Sequence, residues 1–178
     1  MSAGRYERLA RTADPELEAL LRGGRAPDAK SLAGFEWRGY NTAPFTALLG
    51  IRKFIKGFFA GAGGGEGYKT PVKQNRLSEP WLRRPHPENP KRFGFYRVTR
   101  VQADGIDHLY PNGLLLDYGA SRRNPRLAPE RVLRDYLVQP FPDDPDLLLG
   151  KAYLALGSWR IASNFFVIGR LSATDWAP

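Results

Sequence analysis

Four short apolar runs punctuated by turn signals fill the last third of this 178-residue chain: Leu114–Tyr118, Val132–Gln139, Leu147–Leu156 and Ile161–Leu171. Gly-Ala-Ser, Pro-Asp-Asp-Pro-Asp and Gly-Ser-Trp stand between them. Runs of this length, rich in Leu, Val, Tyr and Phe, read as strands, and their regular spacing reads as an antiparallel sheet or barrel. A barrel of this size works through its interior, so the question becomes what the interior holds.

Upstream, residues 14–24 read as a short helix. Asp14 is placed to cap, Pro15 suits the first turn, Glu16 and Glu18 suit the positive helix end, and Gly23 stops it. Phe35–Asn41 reads as the first strand. The next segment, opened by Thr42-Ala43-Pro44 and ended at Gly61, reads as a second helix: Phe45, Leu48, Leu49, Phe54 or Ile55, Phe58 and Phe59 recur at helical spacing. Arg52, Lys53 and Lys56 fill its other arc. Residues 61–67, with five glycines, read as a flexible loop. Tyr68–Gln74 and Phe93–Gln102 read as strands around a proline-rich connection at 78–92, and His108–Tyr110 as the start of another. The sum is a mainly β chain: an N-terminal helical extension (1–31) before a barrel domain (32–178) of seven or eight strands. Closing a meander into a barrel also removes exposed edges.

With no cysteine, neither a disulfide nor a thiolate metal site can form. No signal-peptide-like stretch opens the chain and no run of ~18 apolar residues occurs, which makes the cytoplasm the default expectation. The net charge of +9 is uneven: +4 over 1–60, +6 over 61–103 and −1 over 104–178. Such an excess favours an anionic membrane surface, nucleic acid or an acidic ligand, set against a merely solvated basic surface.

Chemistry-bearing motifs are sparse. In the stretch Gly61–Thr70, Tyr68 separates Gly67 from Lys69, so the phosphate-loop pattern fails. His86 and His108 stand alone, and Asp143, Asp144 and Asp146 lack the glycine and glutamate of a calcium loop, so no metal is expected. Asp117 and Asp135 lie within strands, where a charge is unexpected. Each is a candidate general base, or the partner of an arginine on an adjacent strand such as Arg97, Arg100 or Arg134. Strand Phe93–Val101 interleaves aromatics with Arg97 and Arg100, yet neither face holds a tight stacking array, which disfavours nucleic acid.

Gly-Phe-Glu-Trp-Arg-Gly at Gly34–Gly39, with Arg170 near the end of the last strand, resembles the calycin pattern of lipocalins and fatty-acid-binding proteins. The order Leu133-Arg134-Asp135-Tyr136, an acidic turn, Leu148–Ala152 and Phe165–Arg170 is similar to bacterial GXWXG proteins with a lipocalin-like domain of unknown function. The spacing here is Gly-x-x-Trp-x-Gly, one residue longer. The resemblance implies a lipocalin-like barrel closed at one end by Trp37 and Arg170, with a hydrophobic ligand. Haem-binding relatives use a histidine near the chain end, and none lies beyond His108, so no cofactor is expected.

The functional expectation is binding of a small hydrophobic or amphipathic, fatty-acid-like molecule in the barrel interior. Its lining is expected from Trp37, Phe54, Phe58, Tyr96, Arg134, Tyr136, Tyr153 and Phe165. The alternative from another class is an enzyme using Asp117 or Asp135 as general base. A basic RNA-binding surface comes third.

Overall fold

The computed structural model describes residues 3–61 and 64–178. Eight antiparallel strands form a closed barrel, each paired with its sequence neighbour and the last returning to the first. They are β1 (Phe35–Asn41), β2 (Lys53–Gly61), β3 (Gly64–Pro71), β4 (Phe93–Arg100), β5 (Leu114–Asp117), β6 (Leu133–Val138), β7 (Leu147–Leu156) and β8 (Trp159–Ala173). Helices α1 (Ala3–Ala10), α2 (Asp14–Gly23) and α3 (Ala29–Leu32) precede the barrel, and α4 (Phe45–Leu48) sits between β1 and β2. Among the described residues, no helix is long and apolar enough to cross a membrane.

The long second helix expected over residues 42–61 is a single turn followed by a strand. Along β2, Phe54, Lys56 and Phe58 point inward, while Ile55 and Phe59 point outward beneath other chain segments. A strand covered on both sides loses its polar face, and its continuous apolar run then matches a helical stripe by coincidence. Gly57 within the run was the opposing signal: it lies where a Cβ would fall 2.1 Å from the Tyr68 ring. Two further expectations change. The glycine-rich 61–67 segment is mostly hairpin strand from Gly64 on (residues 62–63 lie outside the described set), and residues 108–110 are not a strand. Asp14 is the first residue of α2 rather than its cap; the N-cap position is Ala13, without a side-chain bond.

Close approach at Gly67 links β3 to both the wall and the interior. A Cβ there would lie 2.3 Å from the Tyr96 ring and 2.5 Å from the Gly57 carbonyl oxygen. Tyr96 cannot swing away freely, because its hydroxyl donates to Gly57 O at 3.0 Å inside the barrel. Gly67→Ala is therefore expected to lower stability by about 1–3 kcal/mol, measured by urea unfolding. A cost near zero would mean that the two strands separate there without penalty.

Two apolar layers result. The inner one fills much of the barrel with Trp37, Phe58, Tyr96, Leu116, Tyr118, Leu148, Phe166 and Ile168. Its rings meet edge-on or tilted: Trp37 with Phe58 at 6.4 Å, Phe58 with Tyr96 at 5.6 Å, and Tyr96 with Tyr118 at 5.1 Å. The outer layer is buried between the wall and the segments that cover it. There α1 (Tyr6, Leu9) and α2 (Leu17, Leu21) join Tyr136, Leu149, Tyr153, Phe165 and Val167 in one cluster. The apolar stripe of α2 thus covers the barrel from outside, with Glu18 accepting from Tyr110 and Lys151.

Candidate functional site

The two barrel ends differ. At the end where β1 begins and β8 finishes, the Arg170 guanidinium lies 4.0 Å from the Phe35 ring centroid and 4.7 Å from that of Trp37. Arg170 Nε donates to Asp146 Oδ1 at 2.5 Å, and Leu32 of α3 packs in the same cluster. This end is shut. Asp143 and Asp144, in the same acidic turn, pair with Arg5 of α1.

The opposite end holds a cavity of about 360 Å³. The β1–β2 segment contributes Phe45, Leu49 and Ile51 to its lining. The strands add Phe54, Lys56, Lys69, Asp135 and Phe166, and the segment after β5 adds Tyr118 and Glu130. The floor is a buried polar triangle. Lys56 Nζ donates to Tyr118 Oη at 2.6 Å and to Asp135 Oδ2 at 2.8 Å, and the Tyr118 hydroxyl donates to that same Oδ2 at 2.9 Å. Lys56 is 1% exposed and Asp135 4% exposed, so both charges are withdrawn from water and satisfy each other. Burial pushes the Lys56 amine below its ordinary range, and Asp135 opposes the shift. Burial and Asp135 push the Tyr118 phenol up, which keeps it protonated and donating.

Lys69 reaches the same cavity from β3. Its ammonium lies 5.0 Å from the Tyr118 ring centroid and 5.7 Å from that of Phe93, and it makes no hydrogen bond or ion pair among the described residues. Its stem is seated by Gly94, where φ is +55° and a Cβ would stand 2.9 Å from Lys69 Cε. Desolvation, then the neighbouring Lys56 charge, lower the Lys69 amine to about 8, against Asp135 and Glu130. The next residue, Thr70, pairs with Ile55 and turns to the outer face with it, so Lys69 alone of the two points into the barrel. An ammonium with no hydrogen bond or ion pair among the described residues, at the side of a mostly apolar cleft, can receive an anionic or carbonyl oxygen.

The structure sorts the expected lining residues into two groups. Trp37, Phe54, Phe58 and Tyr96 belong to the interior, with Phe54 on the cavity itself and the other three in the packed barrel centre. Tyr136, Tyr153 and Phe165 lie in the outer layer instead, where Tyr136 meets Tyr110 at 5.2 Å and Tyr153 at 5.6 Å. Arg134 is likewise outside, paired with Asp117 at 3.0 Å and Asp107 at 3.4 Å. The phase of β6 explains the reversal. Alternation puts Arg134 and Tyr136 on one face and Asp135 on the other, and the interior takes the Asp135 face because Lys56 neutralises it there.

Of the two candidate bases, Asp117 is thus an outer-wall ion pair. Asp135 faces the cavity, but its partner is Lys56 across the barrel rather than an arginine on the next strand. Lys56 and Lys69 escaped sequence reasoning because one was assigned to a helix and the other to a failed phosphate motif. The available signal was Asp135 itself: a carboxylate in a buried strand requires a cation somewhere in the interior.

Fold and site together define a closed eight-stranded β-barrel with a small charged cavity at one end. Comparison with protein-family models, with curated proteins and with solved structures finds no match.

Proposed function

We propose that this barrel is lipocalin-like in use as in outline, binding a small amphipathic molecule in the cavity at its open end. The observation that carries the reading is the Lys69 ammonium, without a hydrogen bond or ion pair among the described residues, within a mostly apolar cleft. An anionic head would sit on the Lys69 ammonium, and a short apolar tail would lie along Phe54, Phe93 and Phe166. A volume of about 360 Å³ is at the low end of the ~300–1,000 Å³ range of ligand sites. The packed rings of Trp37, Phe58 and Tyr96 occupy the space a long alkyl chain would need. The ligand is therefore compact or short-chained, which narrows the fatty-acid-like expectation. Each buried methylene contributes roughly 0.8 kcal/mol, and one charge-assisted contact about 1.5–3 kcal/mol.

The enzyme alternative is less well supported, since Asp135 already accepts from two donors on one oxygen and Asp117 is outside the cavity.

Native mass spectrometry of freshly purified protein, with organic extraction of anything released, tests the proposal together with calorimetric titration of octanoate. A bound small amphiphile, or saturable one-site octanoate binding, is the expected result. A clean apo mass together with no octanoate heat would overturn it.

A further inference from the structure

Exposed large apolar side chains are concentrated around the cavity mouth. Of the four connections at this end, residues 72–92 supply Gln74 to the lining, and residues 42–52, 118–132 and 156–161 carry most of the exposed apolar side chains. Of twelve exposed large hydrophobics among the described residues, nine lie in these last three segments, including Leu48 (91% exposed), Leu127 (94%) and Trp159 (75%). The other three, Leu82, Ile106 and Leu171, lie outside them. The same segments hold six arginines and a single acid, Glu130. Arg122 and Arg126 flank Leu127's loop, are exposed and make no ion pair among the described residues. At the shut end the three aspartates of residues 139–146 are paired with Arg5 and Arg170. Apolar tips and the exposed Arg122 and Arg126 therefore stand together at the open end.

We propose that the open end docks on a bilayer surface rich in anionic lipid. Arg122 and Arg126 would meet headgroup phosphates while Leu48, Leu127 and Trp159 enter the boundary between headgroups and acyl chains. The charge selects this occupant. A second copy would set the exposed Arg122 and Arg126, which make no ion pair among the described residues, against another pair of the same charge. RNA would leave the aliphatic tips without bases to stack on, because Phe45 and Trp159 are the only exposed aromatic rings in the rim. A docked barrel would present its cavity to the membrane, but the docking itself does not depend on any cavity occupant.

The test is co-sedimentation of the full chain with mixed phosphatidylglycerol–phosphatidylcholine vesicles, with pure phosphatidylcholine vesicles as reference. Binding to the mixed vesicles that weakens as salt is raised is expected. The triple variant Leu48→Ser, Leu127→Ser, Trp159→Ser should lower the bound fraction at least about tenfold, as should Arg122→Glu with Arg126→Glu. All five positions are exposed, so far-UV circular dichroism and Tm should stay unchanged. Should a variant lose its fold, brominated lipid supplies a second readout: it should quench tryptophan emission in the native protein and much less in Trp159→Phe. Equal or absent binding to the two vesicle types would overturn the proposal, as would folded rim variants that bind normally. Retention on RNA, or concentration-dependent dimerisation, in place of vesicle binding would overturn it too. Octanoate titration reads the cavity separately, so failure of ligand binding and failure of docking are distinguishable.

Discussion

Lys56→Met is expected to destabilise the barrel by about 3–5 kcal/mol, because it leaves the Asp135 carboxylate buried without its cation. Asp135→Leu should cost a similar amount by stranding the ammonium. The physical claim lies in the combination. With Lys56→Met, Asp135→Leu and Tyr118→Phe together, no charge or unsatisfied hydroxyl remains on the cavity floor, and most of the lost stability should return. Buried ion pairs replaced by apolar groups of similar volume are often neutral, since desolvation offsets most of the Coulomb attraction. Urea unfolding of the wild type, the single variants and the triple variant measures the coupling. Single-variant losses below about 1 kcal/mol would mean that water reaches the triangle. The lowered Lys56 amine adds a pH signature. Between its folded value and the ordinary 10.5 the unfolded chain binds more protons, so its contribution makes stability rise with pH there.

Lys69→Met should separate binding from stability. Octanoate affinity should fall by about 10–100-fold, the value of one charge-assisted contact in a partly desolvated site. Stability at neutral pH should instead increase by about 1 kcal/mol once water screening of this partly exposed group is allowed for. The amine titrates at about 8 when folded and near 10.5 when unfolded, so over that window the unfolded chain holds more protons. Wild-type stability should accordingly rise with pH from about 8 to 10.5, and the variant should show a smaller rise, since Lys53 and Lys56 contribute over the same window. Octanoate affinity of the wild type should decline once pH exceeds about 8, since the neutral amine no longer meets a carboxylate as a cation. Calorimetry across this range, with unfolding curves at each pH, gives both results. A Lys69→Met protein that binds octanoate as well as the wild type would move the ligand head elsewhere.

Half of the expected lining lies outside the barrel interior for a physical reason. Tyr136, Tyr153 and Phe165 have the same apolar, amphipathic character as Tyr96 and Phe58, and both groups are buried. In a barrel whose outer wall is covered, burial no longer marks the interior, so composition cannot set the phase of a strand. One charged contact sets it for β6: Asp135 points toward Lys56, which turns Arg134 and Tyr136 outward.

Local chemistry was enough to place α2, β1 and the last four strands, because proline, glycine and acidic turns bound those runs whatever the packing around them. It also flagged Asp135 as a charge in need of a partner. Tertiary structure alone decided that Lys53–Gly61 is a strand, that its Lys56 meets Asp135 79 residues away, and that Lys69 beside them has no hydrogen bond or ion pair among the described residues. Each of these depends on which segments cover which face of the barrel. That is a property of long-range pairing, and a periodicity read along one segment carries no information about it.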